Sequence, residues 1–251
     1  LTITIDSTAP NAPSLPDLLA AHDSGSSDSD DITSQTTLNF SGTAEADAAM
    51  AVTSSVDGTL GMGTANGSGD WSVTLGSALS EGDHQITATA TDLAGNTSSD
   101  SAALAVTIDV TDPTVSTAAI SLSGASGTDG VFKIGDTVTA TWDNSASGDN
   151  NGDIDTVVMD LSALGGGAAV TATNSSDSWS ASFTLTAGTI DATGLTVDVT
   201  ATDLAGNATT GSSAGDGLDV VAPTVTAGNI ATTGGSGTGG TFFIGDTLTV
   251  S

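Results

Sequence analysis

Several residue types are scarce or absent in this chain of 251 residues, and each absence excludes some classes of protein or site. Cysteine is missing, so no disulfide bond can stabilise the fold, and two histidines offer little for a zinc site. Lys133 is the single basic residue against thirty acidic ones, which gives a formal net charge of −29. This charge excludes nucleic acids and anionic membranes as partners.

Long apolar segments are also missing. No run of about 18 apolar residues is present, so we expect no membrane insertion, and no basic, apolar signal segment is visible. Leu, Ile, Val and Phe make up about a fifth of the residues, near the limit below which a highly charged chain is disordered. Folding therefore needs additional support, and the abundant aspartate supplies the hard oxygen ligands that suit calcium.

Two short motifs recur along the chain. The pentapeptide Asp-Leu-Ala-Gly-Asn occurs at 92–96 and at 203–207. The pattern Asp-x-x-x-Pro begins at Asp6, Asp109 and Asp219, at intervals of roughly 105 residues. This interval is the size of one β-sandwich domain, so function has to be understood from a repeated module.

The repeats divide the chain into four parts. Residues 1–5 are predicted to be the last strand of an upstream module, because they match the pattern of residues 104–108. Residues 6–108 and 109–218 are predicted to be two complete modules, and 219–251 the incomplete start of a third. We therefore interpret the chain as an internal segment of a longer protein built from tandem modules.

Alternation of threonine with valine, isoleucine or alanine predicts half-buried antiparallel strands, most clearly at 85–91, 138–142 and 195–200. In the first module we predict strands at 14–20, 37–42, 49–56, 59–64, 71–75, 85–91 and 101–108. Short strands at this spacing are typical of an immunoglobulin-like sandwich. The predicted fold class is all-β, with tandem immunoglobulin-like β-sandwich modules arranged end to end.

A few single positions carry further structural predictions. Trp71 and Trp179 each open an alternating stretch, which favours a core position over ligand stacking. Helical turns are expected at 14–21 and 161–164, both too short for an independent helix. The glycine of each pentapeptide is expected to adopt a positive φ angle.

Several stretches of the first module carry a family resemblance. They are His22-Asp23-Ser24-Gly25-Ser26-Ser27, Phe40-Ser41-Gly42-Thr43-Ala44-Glu45, Gly69-Asp70-Trp71-Ser72 and Thr91-Asp92-Leu93-Ala94-Gly95-Asn96. Over nearly the whole module, the chain resembles the bacterial immunoglobulin-like repeats of very large surface adhesins of the biofilm-associated and RTX types. The second module is similar more loosely, through 202–207 and 134–137. The resemblance implies a bacterial, secreted, calcium-bound extender.

The strand order of such a sandwich predicts which acidic residues meet. The loop between the last two strands lies at the pole where the chain enters the module, so each pentapeptide should face its own linker. The predicted groups are Asp6 with Asp92 and Asn96, and then Asp109 and Asp112 with Asp203 and Asn207. Gathered carboxylates repel one another unless a cation lies between them, and calcium accepts about six to eight oxygens.

The loop after Trp142 belongs to the same entry pole and is rich in oxygen donors. It departs from the EF-hand pattern, because Ser147 and Val158 stand at its first and last ligand positions. We expect Asp143 and Asp153 of this loop to add one or two ligands to the junction.

Two acidic segments are expected at the exit poles. In the first module, Asp23, Asp28 and Asp30 lie in a loop that either holds an ion by itself or points toward Asp109. In the second module, Asp136 is expected to approach Asp219.

Ordinary turns offer a competing explanation, since aspartate, asparagine and glycine are the usual turn residues. For any single aspartate a solvated turn is the better interpretation. The linker and pentapeptide aspartates differ, because they recur together at one pole.

Catalysis is not favoured by this sequence. His22 and His84 are the only imidazoles, and His84 is expected to be an exposed residue at a strand edge. No nucleophile elbow, phosphate loop or lysine-based site is present. We therefore expect a non-enzymatic protein.

The function predicted from these features is that of a calcium-rigidified extender in a large adhesin at the bacterial cell surface. It would mediate surface attachment or biofilm cohesion by projecting a distal binding domain. Its partners would be neighbouring modules of the same chain, with other copies of the chain as a further candidate. A self-assembling fibre or surface-layer subunit and a glycan-binding module stay open as alternatives.

Overall fold

The computed structural model describes residues 3, 5–188, 190–219, 231–233, 236 and 247–250. Within these residues the chain is all-β, apart from short 3-10 turns at Ala20–His22, Thr117–Ala119, Thr128–Gly130 and Ser162–Leu164. The first of these turns overlaps the end of the region predicted at 14–21, and the last lies within the one predicted at 161–164. No helix in the described part is long and apolar enough to cross a membrane.

The first module is a sandwich of two sheets. Its strands are β1 (Asp17–Leu18), β2 (Ile32–Thr33), β3 (Asn39–Thr43), β4 (Ala49–Ser54), β5 (Gly58–Thr64), β6 (Asp70–Thr74), β7 (Gly82–Thr91) and β8 (Leu104–Ile108). One sheet has the order β1-β3-β6 and the other β2-β8-β7-β4-β5. The pairs are antiparallel except for β2 and β8, which run parallel. All seven predicted strands are found, and the two-residue β2 was missed.

The core of this sandwich follows from the alternation along its strands. In β7 every second residue from His84 to Ala90 is buried, because side chains of a strand point to opposite faces in turn. Phe40 and Trp71 from the other sheet pack into the same cluster, at 0% and 3% exposure. The predicted core position of Trp71 is confirmed.

The second module has more strands arranged around its own core. They are β9 (Ile120–Ser123), β10 (Phe132–Lys133), β11 (Thr137–Asp143), β12 (Ile154–Asp160), β13 (Val170–Thr171), β14 (Thr173–Ser175), β15 (Ser178–Thr184), β16 (Asp191–Leu195), β17 (Asp198–Asp203), β18 (Ala208–Ser212) and β19 (Asp216–Asp219). The sheets have the orders β14-β15-β11-β9, β13-β12-β17-β18 and β10-β19-β16. Beyond them, β20 (Thr232–Thr233) pairs with β21 (Thr249–Val250).

Two features of the second module bear on the predictions. The single strand expected at 195–200 is wrong, because Leu195 ends β16 in one sheet and Asp198 begins β17 in another. Trp179 is buried as predicted, directly opposite Trp142 across β15 and β11. The two hydrophobic clusters share no residue, so each module has a separate core.

Candidate metal site at the module junction

The pentapeptide forms the same turn in both modules. The carboxylate of Asp203 accepts hydrogen bonds from the Asn207 main-chain N–H at 2.8 Å and from its side-chain Nδ2 at 3.0 Å. Asp92 accepts the corresponding bonds from Asn96, both at 2.8 Å. Gly95 and Gly206 have φ angles of 93° and 91°, which confirms the predicted positive φ.

Each turn also holds the linker that precedes its module. The Nδ2 of Asn96 donates to the main-chain oxygen of Asp6 at 3.3 Å, and the Nδ2 of Asn207 donates to that of Asp109 at 3.0 Å. The Asp6 and Asp109 side chains each accept a main-chain hydrogen bond two residues further on, both at 3.0 Å. Residues about 90 positions apart in sequence are thus joined by two corresponding hydrogen bonds.

At the second junction three carboxylates converge. Oxygen atoms of Asp109, Asp153 and Asp203 all lie within 4.8 Å of one another, the one such acidic group found in the described residues. Asp109 follows β8, Asp153 immediately precedes β12, and Asp203 ends β17. The pairing of β12 with β17 fixes this geometry, since Ile154 lies opposite Asp203 and Leu204 donates to the main-chain oxygen of Asp153 at 3.0 Å.

The electrostatics of this group favour a cation. Asp203 is 1% exposed, and Asp109 and Asp153 are half-buried. Burial, close contact with the Asp109 carboxylate and the charges of Asp109 and Asp203 together raise the pKa of Asp153. Three carboxylates that share one partly dehydrated pocket are the donor set that calcium prefers.

The oxygen-rich loop after β11 contributes Asp153 to this group but uses its other polar residues differently. Asp143 accepts hydrogen bonds from Ser145 and Ser147 within its own turn, at 2.9 and 3.3 Å. The hydrogen bonds from Ser145 and Ser147 lower the pKa of Asp143. Asp143 therefore closes a turn, outside the three-carboxylate group.

Two residues that sequence reasoning passed over, Asp149 and Asn151, clamp the linker. Asp149 accepts hydrogen bonds from the Trp142 indole at 2.7 Å and from the main chain of Ser116 at 2.8 Å. Asn151 accepts from the Thr114 N–H at 2.8 Å and donates to its oxygen at 2.9 Å. The density of amide and carboxylate groups in this loop was the available signal, but it could not distinguish linker contacts from ion ligands.

The other predicted ligands at the two poles of the second module occupy separate places. Asp112 is exposed and lies outside the three-carboxylate group. Asp136 accepts hydrogen bonds from Ser126 and from the Lys133 N–H, and these bonds lower its pKa. Asp219 lies opposite Lys133 across the parallel pair of β10 and β19. Asp136 thus closes its own loop through Ser126 and Lys133.

The acidic loop of the first module touches the second module. Asp23 is 8% exposed, with Oδ2 accepting from the Asp31 N–H at 3.1 Å and Oδ1 buried without a hydrogen-bond partner. Burial raises the pKa of Asp23, while Asp28 and Asp30 are exposed. The next residue, Ser24, donates through Oγ to the main-chain oxygen of Ala205 at 2.6 Å. The loop therefore reaches the pentapeptide turn, while its carboxylates lie outside the group around Asp109.

Comparison with known families identifies the first module. Residues 8–110 match the family model of the bacterial Ig-like domain. This segment is a bacterial Ig-like domain. The resemblance noted from the motifs of this module is confirmed, and so is the all-β sandwich fold. No curated protein matches the chain.

Three solved structures are similar to most of the chain, which includes the bacterial Ig-like domain. A structure of a 1.5-MDa bacterial ice-binding adhesin is 19% identical, with a TM-score of 0.45, over 86% of this chain and 67% of that one. A Ca2+-stabilized adhesin of an Antarctic bacterium is 21% identical, with a TM-score of 0.46, over 85% and 50%. A tetra-tandem repeat from the extending region of a large adhesion protein is 24% identical, with a TM-score of 0.31, over 92% and 52%. The chain spans about half the length of the last two of these proteins. Similarities at this level of sequence identity concern the fold alone.

The entry pole of the bacterial Ig-like domain itself is more open than that of the second module. Asp6 and Asp92 line a shallow depression together with Glu45 and Asp47. Among the described residues these four do not form a group as close as that of Asp109, Asp153 and Asp203. The loop between β3 and β4 is shorter than the corresponding loop between β11 and β12. Among the described residues it makes no hydrogen bond to the preceding linker like those of Asp149 and Asn151.

His84 of the bacterial Ig-like domain corrects one prediction. It is 1% exposed, so the expected exposed strand-edge position is wrong. The register of β7 turns it inward, where Nδ1 bonds to Ser54 Oγ at 2.8 Å and Nε2 to the Ser80 main-chain oxygen at 2.8 Å. With both ring nitrogens engaged inside the sandwich, this imidazole is a structural residue.

Proposed function

We propose that the chain is a calcium-rigidified extender segment of a bacterial surface adhesin. The observation that carries the proposal is the convergence of Asp109, Asp153 and Asp203 at the second junction. Asp109 belongs to the linker, whereas Asp153 and Asp203 belong to the second module. An ion held by all three would tie the linker to that module and remove freedom from the hinge.

The protein contacts around the group support this role. Asn207 already holds the linker at Asp109, and Asn151 holds it at Thr114. On the first module's side, the Thr111 hydroxyl donates to the Glu81 carboxylate. The hinge is thus nearly closed by hydrogen bonds, and calcium would supply the charge neutralisation that the three carboxylates require.

Calcium binding would also stabilise the fold. An ion that binds only the folded state adds about 2.7 kcal/mol at a concentration of about a hundred times its Kd. For a module with so few large apolar residues, this is a substantial addition. One structure named above belongs to a Ca2+-stabilized adhesin, but the proposal depends on the carboxylates of this chain.

Tandem modules, strong negative charge and a bacterial Ig-like domain suit a spacer outside the cell. Each module would lengthen the stalk, and the net charge of −29 would keep neighbouring stalks apart. We infer a non-enzymatic role. A glycan-binding platform gains no support, because the three tryptophans are only 0–7% exposed. Assembly into fibres stays a prediction without a supporting contact.

The test compares two aspartates near one linker. The variants Asp153→Asn and Asp112→Asn each remove one negative charge, but only Asp153 belongs to the three-carboxylate group. Thermal melts and small-angle scattering of the full chain are recorded in millimolar calcium and in chelator. We expect calcium to raise the melting temperature of the unaltered chain by roughly 10 °C, and to lengthen the particle.

The Asp112→Asn variant should respond to calcium like the unaltered chain, and Asp153→Asn should lose most of the response. Identical melts and scattering profiles with and without calcium would reject the proposal. If Asp153→Asn retains the full calcium response, the ion binds somewhere other than this junction.

A further inference from the structure

The two pentapeptide turns share the hydrogen bonds between their aspartate and asparagine but have different surroundings. In the second module, Ala205 is 0% exposed and Leu204 is half-buried. In the first module, Leu93 is 93% exposed and Ala94 is also exposed. Since sequence and turn geometry are the same, the difference comes from what lies against the turn.

Ser24 and Gly25 of the preceding module cover the second turn. Ser24 Oγ donates to the Ala205 main-chain oxygen at 2.6 Å. Gly25 has a φ of +99°, and a Cβ placed on it would lie 2.0 Å from the main-chain oxygen of Leu204. A Cβ on Gly206 would lie 3.0 Å from the Gly25 nitrogen. The approach at Gly25 leaves no room for a side chain, and the approach at Gly206 leaves very little.

We infer that the turn at 93–95 is an unfilled socket for the Ser-Gly loop of another module. The socket offers the equivalent acceptor, the main-chain oxygen of Ala94, beside an exposed leucine. A Cβ on Gly95 would meet nothing within 4 Å, so the space filled at the second turn is open at the first. The occupant is a loop of the kind formed by residues 23–31, carried by a module directly upstream in a longer tandem chain.

The choice of occupant follows from comparing the Ser-Gly sequences of two corresponding loops, the one between β1 and β2 and the one between β9 and β10. In the second module, Ser126 bonds through both N–H and Oγ to Asp136. A Cβ on Gly127 would lie 2.4 Å from the main-chain oxygen of Val131, so this loop folds against its own module. Ser24 also bonds to Thr33 and Ser34 of its own module. Its Oγ and the Gly25 backbone, however, reach the next module as well, so we assign the socket to a loop of that type.

This contact uses no ion and is therefore separate from the calcium proposal. The chain lacks cysteine, so Leu93→Cys introduces a single thiol at a fully exposed position. The labelling rate of this thiol is measured in the 251-residue chain and in a lengthened chain with a second copy of residues 6–108 directly before Asp6. Leu204→Cys in the 251-residue chain provides the covered reference.

We expect labelling of Leu93→Cys to slow by roughly tenfold in the lengthened chain, the ratio that a docking free energy of about 1.4 kcal/mol produces. Gly25→Ala in the added copy should restore the fast rate. Both chains are labelled in calcium and in chelator, and slowing in either condition supports the socket. Equal rates in the two chains under both conditions would overturn it, whatever the melts show about calcium.

Discussion

The two entry poles of this chain place one pentapeptide and one linker pattern in different surroundings. At the second pole, Asp203 is 1% exposed and has two carboxylates beside it. At the first pole, Asp92 is half-exposed above an open depression. The repeated motif supplies the turn, while the loop before β12 and the loop of the preceding module supply burial and charge. The properties of a junction therefore depend on neighbouring loops that lie outside the repeated motif.

The largest expected difference between the poles concerns the aspartate that closes each turn. Asp203→Ala should lower the free energy of unfolding of the second module by about 2–3 kcal/mol, because it removes a buried carboxylate that accepts two hydrogen bonds from half-buried Asn207. Asp92→Ala should cost the first module less, because water replaces the lost acceptor there. Urea unfolding in chelator measures both, so that loss of a proposed calcium ligand at Asp203 does not add to the difference. Equal losses would show that burial does not distinguish the two turns.

The next effect concerns contact between the modules. Gly25→Ala should weaken the junction by about 1–2 kcal/mol beyond the backbone strain, because the new Cβ overlaps the Leu204 oxygen. Gly95→Ala is the matched control, with a φ of +93° against +99° and open space around the Cβ. Both variants carry the strain of a positive φ. If thermal melts show the same loss of stability for Gly25→Ala and Gly95→Ala, the contact between the modules contributes nothing to stability.

A smaller effect concerns pH in the absence of calcium. The pKa of Asp153 is raised in the folded chain, so protonation of this group favours folding. Its contribution is fully present below the unfolded pKa of about 3.9 and is lost as the pH rises through the folded value. We expect calcium-free melts of the second module to fall over that range, and Asp153→Asn to flatten the profile. A profile that Asp153→Asn leaves unchanged would contradict this assignment.

At the first pole the pH dependence should have the opposite sign. Hydrogen bonds from Asn96 lower the pKa of Asp92. Its contribution to stability is therefore present above the unfolded value and is lost as the pH falls through the folded value. Asp92→Asn should remove this acid-side loss, which the same series of melts would detect.

The smallest effect concerns the leucines of the two turns. Leu93→Ser should change the free energy of unfolding by less than about 0.5 kcal/mol, since the side chain is already in water. Leu204→Ser should cost about 1 kcal/mol, because that side chain is partly covered. Thermal melts of the two variants give the comparison. A measurable loss for Leu93→Ser would mean that something already covers the first turn.

The sequence was sufficient for much of the fold because its signals are local. Alternation placed all seven predicted strands of the first module, and the positive φ of Gly95 followed from its place in a tight turn. The two-residue β2 has no periodicity to detect. The strand expected at 195–200 was divided because the alternation continues across a change of sheet, which depends on packing and not on local pattern.

The candidate site was predictable to the extent that topology determines it. The order of strands brings Asp109 near Asp203; the linker repeat marks Asp109, and the pentapeptide repeat marks Asp203. The roles of Asp149 and Asn151 could not be separated from that of Asp153, because all three lie in one loop of similar composition. Their side-chain directions depend on the exact path of that loop. His84 was misplaced for another reason: the strand was predicted to begin at 85, whereas β7 begins at Gly82 and its alternation turns His84 inward.

The parallel pairs at the edge of each module have a mechanical consequence. In the first module, β2 lies near the start of the chain and runs parallel to β8 at its end, with Ile32 opposite Thr107. The second module repeats this with β10 and β19. A pull on the two ends of a module draws such neighbouring strands in opposite directions along their length, so the hydrogen bonds between them are sheared together instead of being unzipped one by one. Load on the chain would thus meet its resistance at two small patches, each only two residues wide.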